Sequence, residues 1–485
     1  MAAGGCGPFR RFALPPHTSR SSSGQSSTGG QSSAGALLRK LTFAAGFAAA
    51  LLTCVLPAQV QAQGIGILRD TETEEMLRSY ETPLARAAGL DPEAVKVYLV
   101  GDLEINAFAM QPANIFICAG ILLWLRTPNE LIGVMAHETG HISGAHLTRG
   151  SFAIKQAMVP MLLSMVAGVA AMIAGAGEAG MALMGLGQAV TAARFAALTR
   201  VQESTADQIA LKLLNATRQS PMGMLRTFQR FAQQEAMSAY KINRFAVDHP
   251  VGQDRVADLE ALVDASPFRE VQDSPQSLRT YQMVQAKLAG FVLPVKDAMI
   301  RFPVTDTSAP ARYARSLAYM RMPNFQKALA EIDSLIAEEP NNPYFYEVRG
   351  QIHVSMAKPA LAIPDYQKAV RLRPGAPQLR LALASAQLAM ENQALAGEAL
   401  QNLKAALLAE NDDLFTWYQT AQAYSALHNE PMANLATAEL NYNRGDMQKA
   451  IVFATRARAK LPQGGADWER AQDILGAASG LMRQR

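Results

Sequence analysis

Met135-Ala136-His137-Glu138-Thr139-Gly140-His141 reads as H-E-x-x-H inside an apolar segment that begins near Leu131. On a helix, residues four apart lie one turn above each other on the same face. His137 and His141 therefore present two imidazoles to one point, an arrangement that binds zinc, and Glu138 can hold the water that attacks a peptide carbonyl. Thr127-Pro128-Asn129-Glu130 signals the start of that helix, with a Thr cap, a Pro at the first helical position and a Glu three residues after the cap. Leu131, Ile132, Val134, Met135, Ile142 and Ala145 supply a face to bury.

Two imidazoles need a third ligand, and the three cysteines do not supply it. Cys6 and Cys54 lie near the front of the chain, which leaves Cys118 alone, so neither an internal disulfide nor a cysteine cage is available. Downstream, Arg200-Val201-Gln202-Glu203-Ser204-Thr205-Ala206-Asp207 opens a helical stretch expected to run to Leu214. Glu203 and Asp207 share a face as the two histidines do. Two imidazoles and one carboxylate, with a position left for water, make the catalytic pattern, and Asp207 is placed to reach a ligand imidazole's other nitrogen. Asp248-His249-Pro250 follows, where a histidine in a proline-bound turn could donate to an oxyanion or occupy the metal's open position in a resting state. His146 reads as structural.

The 485 residues carry 45 basic and 41 acidic side chains. The front segment 1–62 holds Arg10, Arg11, Arg20, Arg39 and Lys40 and no acid, so its five bases account for the whole excess and the remainder is one charge negative. That balance gives no electrostatic case for nucleic acid. The same segment is rich in Ser, Gly and Gln to about residue 35. Arg39-Lys40 then precedes an apolar run that ends in Val60-Gln61-Ala62, the pattern of a secretory signal cut after Ala62.

Beyond it a helix pattern runs from Asp70 to Ala88. Ala94–Val100, Asn106–Ala109 and Asn114–Ala119 alternate as short strands, a small sheet beside which an extended substrate could add. Between the histidines and Glu203, no charge occurs from Lys155 to Glu178, a length that could span a bilayer. A single crossing would put His137 and Glu203 on opposite sides of the membrane. The segment 156–190 is therefore expected to be an apolar lid or a membrane-facing hairpin, with buried core and true insertion as the alternatives.

His-Glu-Thr-Gly-His, Glu-Ser-Thr-Ala-Asp, Asn-Ala-Phe-Ala before an edge strand, and His-Pro followed by Arg255 and Leu259 together resemble the M48 family of gluzincin-type metallopeptidases, over about residues 65–262. The resemblance implies one zinc per chain on His137, His141 and Glu203, Glu138 as general base, Asp207 behind the ligands, and His249 in metal or transition-state contact. The chain departs from the family at Met110-Gln111-Pro112-Ala113, where Pro-Gly-Gly is usual, which concerns the loop at the substrate edge.

Residues 264–308 read as a connector with one helix around Leu278–Leu288. Beyond it Pro340 and Pro374 are 34 residues apart, the tetratricopeptide period. Tyr346, Gly350, Ala362, Tyr366 and Ala369 alternate large and small as paired helices require, and a further unit runs from about Pro431 to Pro462. His353 and His428 are expected inside these helices. The fold expected is α+β, mostly α: a signal segment 1–62, a gluzincin-type metalloprotease domain 63–263 with a small sheet, the connector, and an α-helical solenoid 309–485. The combination resembles the periplasmic proteases of Gram-negative bacteria that police outer-membrane protein assembly. It implies a zinc endopeptidase with chaperone-like holding, protein substrates and assembly machinery as partners in the solenoid groove, and a peripheral membrane contact. The rival readings are a largely non-proteolytic scaffold and a membrane-integrated M48 protease.

Overall fold

A computed structural model describes residues 10–12, 66–145, 158–173, 176–237 and 244–483. The expected signal segment, apart from Arg10–Phe12, lies outside the described residues, as do His146 and Lys155. The chain divides into two units, and the architecture below is that of the unit holding residues 67–485.

A mixed sheet takes the order β1-β2-β3-β5-β4, from β1 (Arg10–Phe12), β2 (Ile67–Arg69), β3 (Lys96–Val100), β4 (Ala107–Met110) and β5 (Asn114–Cys118). β3 and β5 run parallel, Val97 opposite Ile115, and β4 returns antiparallel with Phe108 opposite Phe116. The inner face of β5 carries Ile115 and Ile117 into the core, while Tyr98, Phe116 and Phe108 stack across three strands. β4 lies at the sheet edge, paired on one side with β5.

The helices come in order as α1 (Thr71–Ala87), α2 (Ala119–Trp124), α3 (Pro128–Ser143), α4 (Val159–Ile173), α5 (Gly177–Ala216), α6 (Met222–Met237), α7 (Arg244–Asp248) and α8 (Gln253–Asp264). α3 is the H-E-x-x-H helix. Its first fourteen residues are buried, which removes the solvated face a surface helix keeps. Thr127 accepts the Glu130 N–H at 3.3 Å as a cap should. The Glu130 carboxylate reaches one residue further back than the capping box expects, to the Arg126 N–H at 2.7 Å, because Arg230 holds its Oε2 at 3.1 Å from the side.

The stretch bearing Glu203 differs from expectation. It does not begin at Arg200 but is the C-terminal half of α5, a single helix of 40 residues. Between Gly177 and Arg200 the sequence has no proline, and its seven Ala offset its four Gly, so the helix continues. The uncharged stretch is likewise not one span. α4 ends at Ile173 and α5 starts at Gly177, and the two pack antiparallel, Gly168 against Gly180 and Ser164 against Gly187.

Residues 264–308 contain α9 (Pro275–Val292) and α10 (Val295–Arg301). Tyr281, Val284, Leu288 and Ala289 of α9 belong to the same core as α3 and the sheet, and the Tyr281 hydroxyl donates to Leu122 O at 3.0 Å. Five helix pairs then stack: α11 (Ala309–Arg321) with α12 (Phe325–Glu338), α13 (Pro343–Ser355) with α14 (Pro359–Leu372), α15 (Pro377–Leu388) with α16 (Gln393–Ala409), α17 (Leu414–Ala426) with α18 (Glu430–Arg444), and α19 (Met447–Arg458) with α20 (Ala466–Arg483). This is the tetratricopeptide solenoid. His353 lies within α13, but His428 sits in the left-handed turn between α17 and α18, with φ 57°.

The array is fastened to the start of the metalloprotease core. Lys287 of α9, fully buried, meets Asp70, Glu72 and Glu347 at 2.5, 3.4 and 2.9 Å. Arg69 reaches Glu410 at 2.6 Å and Asp413 at 3.0 Å, and Tyr344 and Arg373 both take Glu75. Pairing is what makes the Lys287 charge tolerable so far from water.

Candidate metal centre

His137 and His141 occupy successive turns of α3, and α5 crosses that helix beside them. The crossing is close because residue 140 is glycine: a Cβ there would stand 2.7 Å from Ala206 O. Ala206 lies between Glu203 and Asp207, so the close approach sets both carboxylates against the imidazoles. His137 Nε2 is 3.3 Å from Glu203 Oε2, and His141 Nε2 is 3.3 Å from Glu203 Oε1. The two imidazole Nε2 atoms are 3.1 Å apart. Asp207 Oδ1 takes the far side of the His137 ring, 2.9 Å from Nδ1.

His249 arrives from the other direction. α7 is tied to the entry of β4: Phe245 N–H donates to Ile105 O at 3.2 Å and Asn106 Nδ2 donates to Asp248 Oδ2 at 3.0 Å. Phe245 stacks on the His249 ring at 4.6 Å, and the His249 N–H donates back to Phe245 O at 2.7 Å. The ring is thereby presented with Nδ1 3.3 Å from His137 Nε2 and 3.2 Å from Glu203 Oε1, while its Nε2 stands 3.5 Å from Glu138 Oε1.

Four donor atoms, one each from His137, His141, Glu203 and His249, lie within 4.8 Å of one another, and all four residues are buried. The contacts of 3.1 to 3.3 Å among them are close to the edge of a tetrahedron with bonds of about 2.0–2.1 Å, which is about 3.3 Å. Three nitrogens and one carboxylate, all turned inward on one point, suit a divalent cation of zinc's preferences and leave no room for the larger oxygen shell of calcium.

The electrostatics agree at Glu203 and His141, while at His137 the lowering by burial is overcome by Asp207 and Glu203, which push it up to about 9. Burial alone would raise the Glu203 carboxyl, but hydrogen bonds from His137, His141 and His249 hold it far below the usual carboxylate range. Burial lowers His141 to about 4, so it stays a neutral imidazole, the form that ligates. Asp207 is also held low. Burial opposes this, but Arg255 overrides it through Nε at 2.5 Å and Nη2 at 2.8 Å, and the same guanidinium reaches Glu203 Oε2 at 2.8 Å. Arg255 appeared in the sequence as a motif position without a role. Its function as the brace of both carboxylates depends on partners 48 and 52 residues upstream, which only the fold brings together.

Glu138 is fully buried and neither of its carboxyl oxygens has a hydrogen-bond partner among the described residues. Burial pushes its pKa up, His249 and His137 opposing. A desolvated carboxylate held beside a metal-ligand cluster is the form a general base requires. Behind it, the Thr139 hydroxyl contacts Glu81 Oε1 at 2.8 Å and Met135 O at 2.7 Å; sequence reading did not single out Glu81.

Comparison with known proteins follows this geometry. The model for "Peptidase family M48" matches residues 71–263. The beta-barrel assembly-enhancing protease of Escherichia coli K12 is 26% identical over 371 residues, 76% of this chain and 75% of its own length. Its counterpart in Yersinia pestis is 25% identical over 77% of this chain and 76% of that protein. Metalloprotease LoiP of Escherichia coli K12 is 30% identical over 195 residues, 39% of this chain and 71% of its own. A solved tetratricopeptide repeat protein from Parabacteroides merdae, 14% identical, superposes with a TM-score of 0.27 over 52% of this chain and 99% of its own, so the repeat assignment rests on the helix pairing above. With its metal-ligand residue types buried around one point and a family match across the surrounding fold, the chain belongs to peptidase family M48 and is a metalloprotease.

Proposed function

We propose that the metal is zinc, one ion per chain on His137, His141 and Glu203, and that the enzyme is an endopeptidase acting in quality control of outer-membrane or other envelope proteins. The single observation that carries the catalytic part is the set of four inward-facing donor atoms with a fully buried carboxylate, Glu138, next to them. When bound there, the metal supplies Lewis acidity for the scissile carbonyl and the attacking water. Glu138 takes the proton of that water and delivers it to the leaving amine. Asp207, braced by Arg255, accepts from His137 Nδ1 and fixes the ring so that Nε2 faces the site. The outer edge of β4 takes an extended client as an added strand beside Glu138.

His249 has a double reading. Its contacts with His137 and Glu203 support a resting state in which His249 would take the metal's open position and exclude substrate. This supports an enzyme held closed at rest, opened by displacement of the His249 turn, after which the imidazole can donate to the oxyanion. The solenoid holds clients and partners of the outer-membrane assembly machinery in its groove, as chaperone-like activity requires, and the location is the periplasm of a Gram-negative bacterium. Similarity to beta-barrel assembly-enhancing proteases over three quarters of both chains supports that setting.

The test is metal content per chain beside cleavage of casein by wild type and Glu138→Gln. One zinc in both proteins, with cleavage lost by a factor on the order of 10²–10⁴ only in the variant, is the expected result. Equal maturation of clients by the two would make the protein a scaffold.

A further inference from the structure

The α4–α5 hairpin is a surface that nothing among the described residues covers. Leu163, Val166, Met181 and Leu186 are 62 to 72% exposed, and Leu162, Val159 and Val169 add to them. The apolar side chains do not form one stripe to be laid into a protein groove. On α4 they turn away from the partner helix, and on the first half of α5 they continue past it to Leu183 and Val190. Large apolar side chains exposed to this extent belong either in a core or in lipid, and no core among the described residues takes them.

The way the two helices hold each other points to lipid. Gly168 meets the Gly180 carbonyl and Met184, Gly180 meets the Gly168 carbonyl, and Gly187 lies on Ser164. Close backbone packing through small residues is how helices associate where the surrounding medium is as apolar as their side chains. The large residues are thereby freed to face outward, the reverse of a water-soluble hairpin.

Charge fixes the orientation. Among the described residues of the hairpin the only acid is Glu178, exposed at the turn, and the first bases are Arg194 and Arg200, exposed at the root with no ion pair among the described residues. Glu178 and Arg194 are separated along α5 by about 24 Å at 1.5 Å per residue, less than the about 30 Å of a hydrocarbon core. Standing upright with Arg194 in one headgroup layer, the hairpin would leave the Glu178 carboxylate about 6 Å short of the opposite headgroups, inside the hydrocarbon, where a charge is costly. Lying along the surface, it keeps both charged ends in the headgroups and sinks its apolar flank about 5–10 Å into the acyl boundary.

We propose that the α4–α5 hairpin is a monotopic membrane anchor that lies in the plane of an anionic leaflet, with Arg194 and Arg200 on the lipid phosphates. This deepens the peripheral contact expected from sequence by naming the segment, its depth and its headgroup chemistry. It has a consequence for the enzyme. α5 is unbroken from the hairpin to Glu203 and Asp207, so the anchor holds the metal centre at a set height above the bilayer, where clients emerge from or enter it. The inference does not depend on the peptidase reading, because its readout is lipid binding.

The experiment uses the full-length chain floated with vesicles of phosphatidylethanolamine and phosphatidylglycerol. Wild type is expected to float. The triple substitution Leu163→Asp, Val166→Asp, Leu186→Asp is expected to lower the bound fraction about tenfold or more, with casein cleavage in solution unchanged within about twofold. Arg194→Ser with Arg200→Ser, or phosphatidylcholine vesicles, should weaken binding about 30-fold, at about 1 kcal/mol or about fivefold per basic residue. Wild type remaining unbound to vesicles, or a triple variant that floats equally well, overturns the proposal. A wild-type dimer in solution that the triple variant loses, without vesicle binding by either, would make the occupant a second copy and also overturn it. Loss of casein cleavage by Glu138→Gln with flotation intact separates this inference from the catalytic one.

Discussion

Arg255 grips Asp207 in a two-pronged ion pair, Nε at 2.5 Å and Nη2 at 2.8 Å, and Asp207 passes that constraint to Nδ1 of His137 at 2.9 Å. Asp207→Asn should therefore keep the fold and weaken metal binding about 10- to 100-fold, as loss of a partner behind a ligand imidazole does. Arg255→Lys keeps the charge but not the fork, and should cost metal affinity less than Asp207→Asn does. Competition with a chromophoric chelator measures both. Unaltered affinity in both variants would mean that the His137 ring is oriented by packing on Phe228 instead.

Lys287 is the one cation among Asp70, Glu72 and Glu347, with no exposed surface of its own. Lys287→Met removes it and leaves those carboxyl groups buried without a counter-charge. Urea unfolding should show a loss of about 3–5 kcal/mol. Adding Glu347→Gln to that variant should restore part of the loss. If the single variant is as stable as wild type, the three acids are hydrated and the junction is not the dry seam described above.

Glu81 gives the chain a pH signature. Burial pushes its carboxyl up to about 8, the hydrogen bond with Thr139 only partly opposing. The folded chain then holds this proton until pH approaches 8, while the unfolded chain releases it near pH 4.3, as a free glutamate does at about that value. A raised carboxyl stabilises fully below the unfolded value, and that stability is lost as pH rises toward the folded value. Glu81→Gln has no proton to lose. Its melting temperature relative to wild type should therefore climb between pH 5 and 8, by the equivalent of a few kcal/mol at about 1.4 kcal/mol per pH unit. A difference that is flat across that range would place the ionised carboxylate in the folded state.

In the solenoid, a Cβ on Gly350 would stand 2.8 Å from the Tyr366 ring, whereas one on Gly397, within α16, meets nothing within 4 Å. Gly350→Ala should destabilise by about 1–3 kcal/mol through overpacking. Gly397→Ala should stabilise by about 0.5–1 kcal/mol, because a half-buried helical glycine with open space around it is replaced by a better helix former. Thermal unfolding of the two variants side by side distinguishes them, and equal shifts would mean that the helix pair at Gly350 is loosely packed.

Much of the metal centre was readable before any fold was known, since each part is carried by helical spacing of four. His137 with His141, and Glu203 with Asp207, are pairs whose members share a face on any helix, and the two proline positions 34 residues apart announce a stacked repeat in the same local way. The start of α5 was not readable. An Ala-, Met- and Gly-rich run is equally compatible with a loop, a lid or a long helix until Gly168 and Gly180 meet.

The sequence by itself determined the chemistry on offer: two imidazoles and a base on one helix, two carboxylates on another, and a repeat array behind them. Tertiary structure decided which groups act together. The brace by Arg255, the approach of His249 to the cluster, the incorporation of α9 into the protease core and the Lys287 seam all join residues tens to hundreds of positions apart. No local periodicity encodes such pairs. They are selected by the requirement that every charge taken from water meet a partner once the cores have closed.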